Sequence, residues 1–316
     1  PEGAPPLPGE RPAPEMVSLG KMLYFDPRLS EKQDMSCNSC HNLAMGGASG
    51  HGSLGGRLTP TVFNAVFNTA QFWDGRASNL KEQVVKSVMV NPAALLVTRG
   101  GAMTPNTSEM NIAKQRTAER LKSIPGYVPA FKKAFPSEAE PITYDNIGRA
   151  IAAFETTLIT PDAPFDRWLR GDDAALSEVQ KQGLKLFMDK GCSNCHNGTN
   201  IGGGRFARFG VAKNPGPDLL PADDVGRFAL TRDVNDKYVF KVPGLRNVEL
   251  IPPYFHSGRI WDLNEAVAVM GETQLGQKLS GEETAKIAAF LKSLTGRQPE
   301  ITIPALPPSV ATTIRP

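Results

Sequence analysis

Apolar positions along the chain recur with helical period and never alternate for long. Ile147, Ile151, Phe154 and Leu158 fall on one face of an amphipathic helix. Ser177 with Gln180 forms a capping box ahead of Val179, Leu184 and Phe187. Ser280 with Glu283 forms another ahead of Ile287, Phe290 and Leu294, with Gly296 as the stop. A further helix is predicted from Asp262, with Glu265 as its N3 partner, Met270 at its end and Gly271 as the C-terminal stop. Residues 110–124 also read as helix, ended by the Pro125-Gly126 pair. No long alternating stretch predicts a strand, so the expected fold class is mostly α.

The pattern also repeats. G-K-M-L-Y-F-D (Gly20 to Asp26) and G-L-K-L-F-M-D (Gly183 to Asp189) are two versions of one string. Each is a short amphipathic helix leading into C-x-x-C-H, and each C-x-x-C-H is followed by an asparagine, Asn42 or Asn197. Two units follow, with the stretch Thr160 to Pro164 (T-P-D-A-P) as the linker: 1–163 and 164–316. The proline-rich ends, 1–14 and 298–316, are expected to run extended over the surface or back across the neighbouring unit.

Composition agrees with two ordered domains. The 316 residues are 40% hydrophobic and 21% charged, normal for chains with real cores. Gly and Pro number 30 and 27, which predicts much ordered loop between the helices. A net charge of +3 with scattered Lys and Arg excludes a nucleic-acid binder. No apolar run approaches the ~18 residues of a membrane span, and no signal peptide stands at Pro1. The expectation is a mature or trimmed soluble protein.

Four cysteines and four histidines carry the chemistry. Cys37, Cys40 and His41 spell C-N-S-C-H; Cys192, Cys195 and His196 spell C-S-N-C-H. This is the attachment signature of haem c. Two thiols at this spacing reach both vinyl groups of one porphyrin, and the following His sits under the iron. A zinc site would bring its two C-x-x-C halves within ~15–20 residues. A thioredoxin-like motif would need a βαβ context. Disulfides would not place His after both second cysteines. Two covalent haems therefore consume all four thiols, and covalent attachment implies assembly outside the cytoplasm.

Each iron has a sixth position. His51 lies in the glycine-rich loop G-A-S-G-H-G-S-L-G-G close after His41, able to fold over a haem and to leave it. For the second haem the candidates are His256 and Met270. A thioether ligand favours ferrous iron more than a second imidazole does, so Met on one iron and His on the other would separate their potentials.

Several long strings carry a resemblance. They are L-G-K-M-L-Y-F-D-P-R-L-S, P-T-V-F-N-A-V-F-N-T-A-Q-F-W-D-G-R-A at 60–77 and L-K-S-I-P-G-Y-V at 121–128. V-P-G-L-R-N-V-E-L-I-P-P-Y-F-H-S-G at 242–258 and A-V-A-V-M-G at 266–271 follow. In these the chain resembles the bacterial dihaem cytochrome c peroxidases, over nearly its full length. The resemblance implies two cytochrome c-like domains in a periplasmic enzyme that reduces hydrogen peroxide. Its electrons would come from a small cytochrome c or cupredoxin donor. The haem at Cys37, Cys40 and His41 would be the low-potential peroxidatic site, with His51 as its detachable distal ligand. The haem at Cys192, Cys195 and His196 would be the high-potential entry site, with Met270 as axial ligand. His256 falls on a family histidine near the haem and interdomain region. Trp73 matches the tryptophan between the haems, and Glu109, in E-M-N, matches the catalytic acid/base. A homodimer and an interdomain calcium are also implied. Leu58 stands where the family's calcium site uses asparagine, which leaves backbone oxygens near Ile251 and Pro253. The loop from His41 to Pro60 is shorter than in relatives, and the glutamine expected near Glu109 is not evident.

Two other readings stand beside this one. The first is a dihaem electron carrier without peroxidase activity. The second is a dihaem oxidase that modifies a partner protein, as in the methylamine dehydrogenase maturation enzymes, which carry Tyr where Met270 stands.

Overall fold

The computed structural model describes residues 6–50, 56–86, 95–97, 103–105 and 107–315, without the side chains of 95–97, 103–105, 107 and 109. In chain order the α-helices are α1 (Pro14–Phe25), α2 (Cys37–Cys40), α3 (Leu80–Val85), α4 (Thr107–Lys122), α5 (Tyr127–Ala134) and α6 (Tyr144–Glu155). They continue with α7 (Pro164–Leu169), α8 (Glu178–Asp189), α9 (Phe228–Thr231), α10 (Leu263–Leu275) and α11 (Gly281–Lys292). Two antiparallel pairs are the strands among the described residues: β1 (Leu95–Val97) with β2 (Met103–Pro105), and β3 (Phe206–Arg208) with β4 (Val239–Lys241). Each is three residues long, too short for alternation to show in the sequence.

Two hydrophobic cores form. One gathers Leu19, Leu23 and Tyr24 of α1, Leu121 of α4, Phe131 of α5 and Ile147, Ile151 and Phe154 of α6. The other gathers Phe187 of α8, Leu263 and Val267 of α10 and Ile287, Phe290 and Leu291 of α11. In each, two helices cross on a glycine. A Cβ on Gly20 would lie 1.8 Å from the Ala150 carbonyl oxygen; one on Gly183 would lie 1.9 Å from that of Lys286. The glycine in both copies of the repeated string thus lets two backbones touch.

Both predicted capping boxes are present, at Ser177/Gln180 and Ser280/Glu283. Three predicted details differ. Helix α10 starts with Asp262 as its cap but does not stop at Gly271; it runs on to Leu275 and ends at Gly276, in the left-handed region at φ 65°. Gly271 is instead a close-packing position, where a Cβ would meet the Leu279 side chain at 2.8 Å. Gly296 likewise stops no helix, because α11 ends at Lys292; a Cβ there would lie 2.2 Å from the Thr160 carbonyl oxygen. Leu158 lies past the end of α6 yet is buried, its carbonyl accepting from the Asn64 amide at 2.8 Å.

The T-P-D-A-P stretch is a buried knot. The Thr160 hydroxyl accepts from Asn64 Nδ2 at 2.7 Å and from Asn247 Nδ2 at 2.9 Å. The C-terminal stretch from 298 runs without regular structure across the first core, where Ile301 packs. There Lys21 Nζ donates to Thr302, Arg28 to Ser309, and the Ile314 amide to Ser123 Oγ.

Candidate haem sites and the contact between them

The first C-x-x-C-H occupies α2 and its cap. The Tyr24 hydroxyl donates to the His41 carbonyl at 2.7 Å, tying this turn to α1. His41 Nδ1 lies 2.9 Å from the Pro60 carbonyl oxygen. A carbonyl can only accept, so Nδ1 carries the proton and Nε2 is left with a free lone pair. That is how a metal-binding imidazole is usually oriented. Burial pushes the imidazole's pKa down to about 4, so it stays neutral.

The second motif lies at the wall of a cavity of about 250 Å³. Cys192, Cys195, His196 and Met270 all line it, as do Trp73 and His256. His196 is buried and held neutral by burial at about 4, against the backbone oxygens of Pro243 and Ile201. Its Nδ1 makes no full hydrogen bond among the described residues. The four sulfurs are not paired as disulfides. A pair of thiols, a neutral imidazole and a thioether around one apolar cavity fit a covalently attached haem.

His51 lies outside the described residues. Glu109 belongs to the first turn of α4, and its side chain lies outside the description as well.

A second repeat, missed in the sequence, joins the two sites. P-T-V-F-N (60–64) and P-G-L-R-N (243–247) each carry a proline next to one C-x-x-C-H histidine. They end in Asn64 and Asn247, both at φ 59°. F-W-D-G-R (72–76) and F-H-S-G-R (255–259) follow, with Phe72 and Phe255 at φ 66° and 67°. Trp73 and His256 are therefore equivalent positions. The Leu58 amide donates to the His256 carbonyl, and the Lys241 amide to the Trp73 carbonyl, both at 2.7 Å. The indole of Trp73 donates to the Leu58 carbonyl at 2.8 Å.

Charge is buried here too. Arg57 forms a two-pronged pair with Asp224, at 2.8 and 2.6 Å, and bonds Asp74 at 3.0 Å. His256 is 3% exposed and stacks on Phe240 at 4.1 Å between ring centroids. Its Nε2 is 3.8 Å from Asp224, beyond hydrogen-bond reach. Burial pushes this imidazole down to about 4, with Asp224 opposing and Arg57 adding to the effect. Lys241, 6% exposed on the cavity wall, is lowered to about 8 by burial. The paired P-x-x-x-N and F-x-x-G-R strings could have pointed to this contact; no sequence signal pairs Arg57 with Asp224.

Residues 14–174 match the family model for di-haem cytochrome c peroxidase, and 180–295 that for cytochrome c. The chain is 49% identical to a cytochrome c551 peroxidase of Pseudomonas aeruginosa, covering 100% of this chain and 89% of that protein. The chain belongs to the di-haem cytochrome c peroxidase family. A methylamine utilization protein MauG of Methylorubrum extorquens is more distant, at 36% identity over 97% of this chain and 86% of that one. Among solved structures, a MauG-like protein associated with microbial copper homeostasis superposes with a TM-score of 0.75 at 26% identity, covering 94% of both chains. The family's fold is that of two cytochrome c-like domains, and its members hold two haem c groups. Among the described residues no helix is long and apolar enough to cross a membrane.

Proposed function

We propose that this protein is a periplasmic dihaem peroxidase that reduces hydrogen peroxide to water, with electrons from small cytochrome c or copper-protein donors. The observation that carries the reading is the shared cavity, where Met270 and His196 stand together with Cys192 and Cys195. Haem c supplies iron that exchanges single electrons and, where a coordination position opens, binds peroxide.

The chain's own residues do the rest. Cys37 and Cys40 would attach the peroxidatic group, and His41, oriented by the Pro60 carbonyl, would hold its iron. By the family pattern, His51 would supply a second, detachable ligand to that group, given up once the C-terminal site is reduced. Glu109 takes the proton from one peroxide oxygen and delivers it to the other, which makes the departing oxygen a better leaving group. Trp73, on the wall of the Cys192 and Cys195 cavity and edge to face with His256, would carry electrons from one site to the other, the role its position in the family pattern implies. Hydrogen peroxide, two electrons and two protons give two waters.

The units divide near residues 163 and 164, after the Thr160 knot. A homodimer is the family expectation. An interdomain calcium would rest on backbone oxygens near Ile251 and Pro253: Leu58 offers an apolar side chain, and its carbonyl already accepts from Trp73.

The test compares oxidised with half-reduced protein, by haemochrome count, absorption and spin state, and peroxide consumption. Two haems per chain, a high-spin haem on half-reduction and peroxide turnover are expected. Two permanently low-spin haems without turnover would make the protein an electron carrier.

A further inference from the structure

Glu155 is a buried carboxyl that the proposed mechanism does not use. It is 3% exposed at the end of α6, and its Oε2 has no hydrogen-bond partner. Among the described residues no Lys or Arg forms an ion pair with it. Leaving such a group unpaired inside a core costs free energy, which selects against it unless it has a use.

The repeat locates this carboxyl. The Cβ atoms of Phe154 and Phe290 lie 3.0 Å from a Cβ built on Gly20 and Gly183 respectively, so the two phenylalanines are equivalent. The residues after them, Glu155 and Leu291, are then equivalent too. Leu291 lines the cavity that Cys192, Cys195 and His196 also line. In the first unit, Glu155 lies close enough to Cys37 and to Tyr24, whose hydroxyl is bonded to the His41 carbonyl, for its charge to add to the upward push that burial gives both. One half of the molecule thus carries an aliphatic side chain at this wall, and the other an acid.

We propose that Glu155 is the redox-linked proton site of the N-terminal haem, binding a proton when that haem gains an electron and releasing it when the electron leaves. The inference rests on the dihaem reading above. The electron comes from the one-electron donor protein and the proton from water; an O–H bond forms at the carboxylate, and no other bond changes. The physical cause is charge balance. A carboxylate in a low-dielectric wall favours the more positive ferric state, and an added electron is repelled by it unless it is neutralised. Burial already raises this carboxyl to about 8, so a proton can be taken up or lost near neutral pH.

The surrounding groups leave this role to Glu155. Tyr24 of α1 and Tyr144 of α6 are pushed up by burial and stay protonated. Cys37 and Cys40 have no proton to exchange once they are thioethers. Lys81 of α3 is paired with Asp145, and Lys114 of α4 lies over the Tyr144 ring at 5.6 Å.

The experiment is a spectroelectrochemical titration of both haems in the holoenzyme, on either side of pH about 8. In the wild type the N-terminal potential should fall with rising pH. Its slope should approach about 59 mV per pH unit, the one-electron equivalent of a tenfold change in proton concentration. Glu155→Gln, and Glu155→Leu, which installs the side chain found at 291, should flatten that slope and hold the potential at or above the wild-type acid plateau. The C-terminal potential should not move. A flat wild-type titration overturns the proposal without any variant, as does an unchanged slope in either haem-loaded variant. Fewer than two haem waves would instead overturn the dihaem reading itself.

Discussion

Trp73 and His256 occupy equivalent positions in the two halves of the molecule and meet edge to face, ring centroids 6.1 Å apart. The carbonyl of each accepts one backbone amide, from Lys241 and Leu58 respectively, so the same bond is made twice in exchange. Such paired backbone bonds, with buried Arg57 and Asp224 beside them, hold the relative placement of the two haem sites. The proposed electron transfer between them needs that constancy.

Replacing Met270 with His should lower the C-terminal haem's potential, because a second imidazole favours ferric iron more than a thioether does. Peroxide turnover should drop by roughly tenfold or more, about 1.4 kcal/mol in barrier. Redox titration checks the first and steady-state rates the second. An unchanged potential would remove Met270 from the ligands.

Glu109→Gln keeps the side chain's size and removes its ability to shuttle a proton. Haem spectra should stay as in the wild type while turnover falls by about 10²–10⁴. Full activity would put the shuttle elsewhere.

Gly20→Ala tests the helix crossing. Its Cβ would meet a carbonyl oxygen at 1.8 Å, and a backbone cannot yield as a side-chain tip can. Overpacking typically costs about 1–3 kcal/mol, and this site should lie at the upper end. Denaturant unfolding of the haem-loaded protein measures it; an unchanged midpoint would show that the crossing tolerates a methyl.

His256 should make stability pH-dependent. Its folded pKa is about 4, below the ordinary value of about 6.5, so only the unfolded chain binds its proton between these values. Its contribution is intact above pH about 6.5 and is lost as pH falls towards 4, by roughly 3 kcal/mol at most. His256→Gln should remove that part of the acid slope, measured by denaturant titration across this range. An identical slope would mean that the imidazole is protonated in the folded state.

How much of this could be read from the chain depends on the range of each interaction. Local order determined the two C-x-x-C-H sites, the capping boxes at Ser177 and Ser280 and the helical face of Ile147, Ile151 and Phe154, because attachment, capping and periodicity act within a few residues. The family strings also made the peroxidase reading legible before any fold was drawn. Only the tertiary structure decided that Gly271 and Gly296 make room for neighbouring backbone and side chains instead of ending helices, since within its own segment a glycine looks the same in either role. It alone joined Asn64 and Asn247 through Thr160, paired Arg57 with Asp224 and buried the carboxyl of Glu155. The bonded partners lie 87 to 167 residues apart in the chain, and a contact or a desolvation that depends on where distant segments meet has no signature in local order.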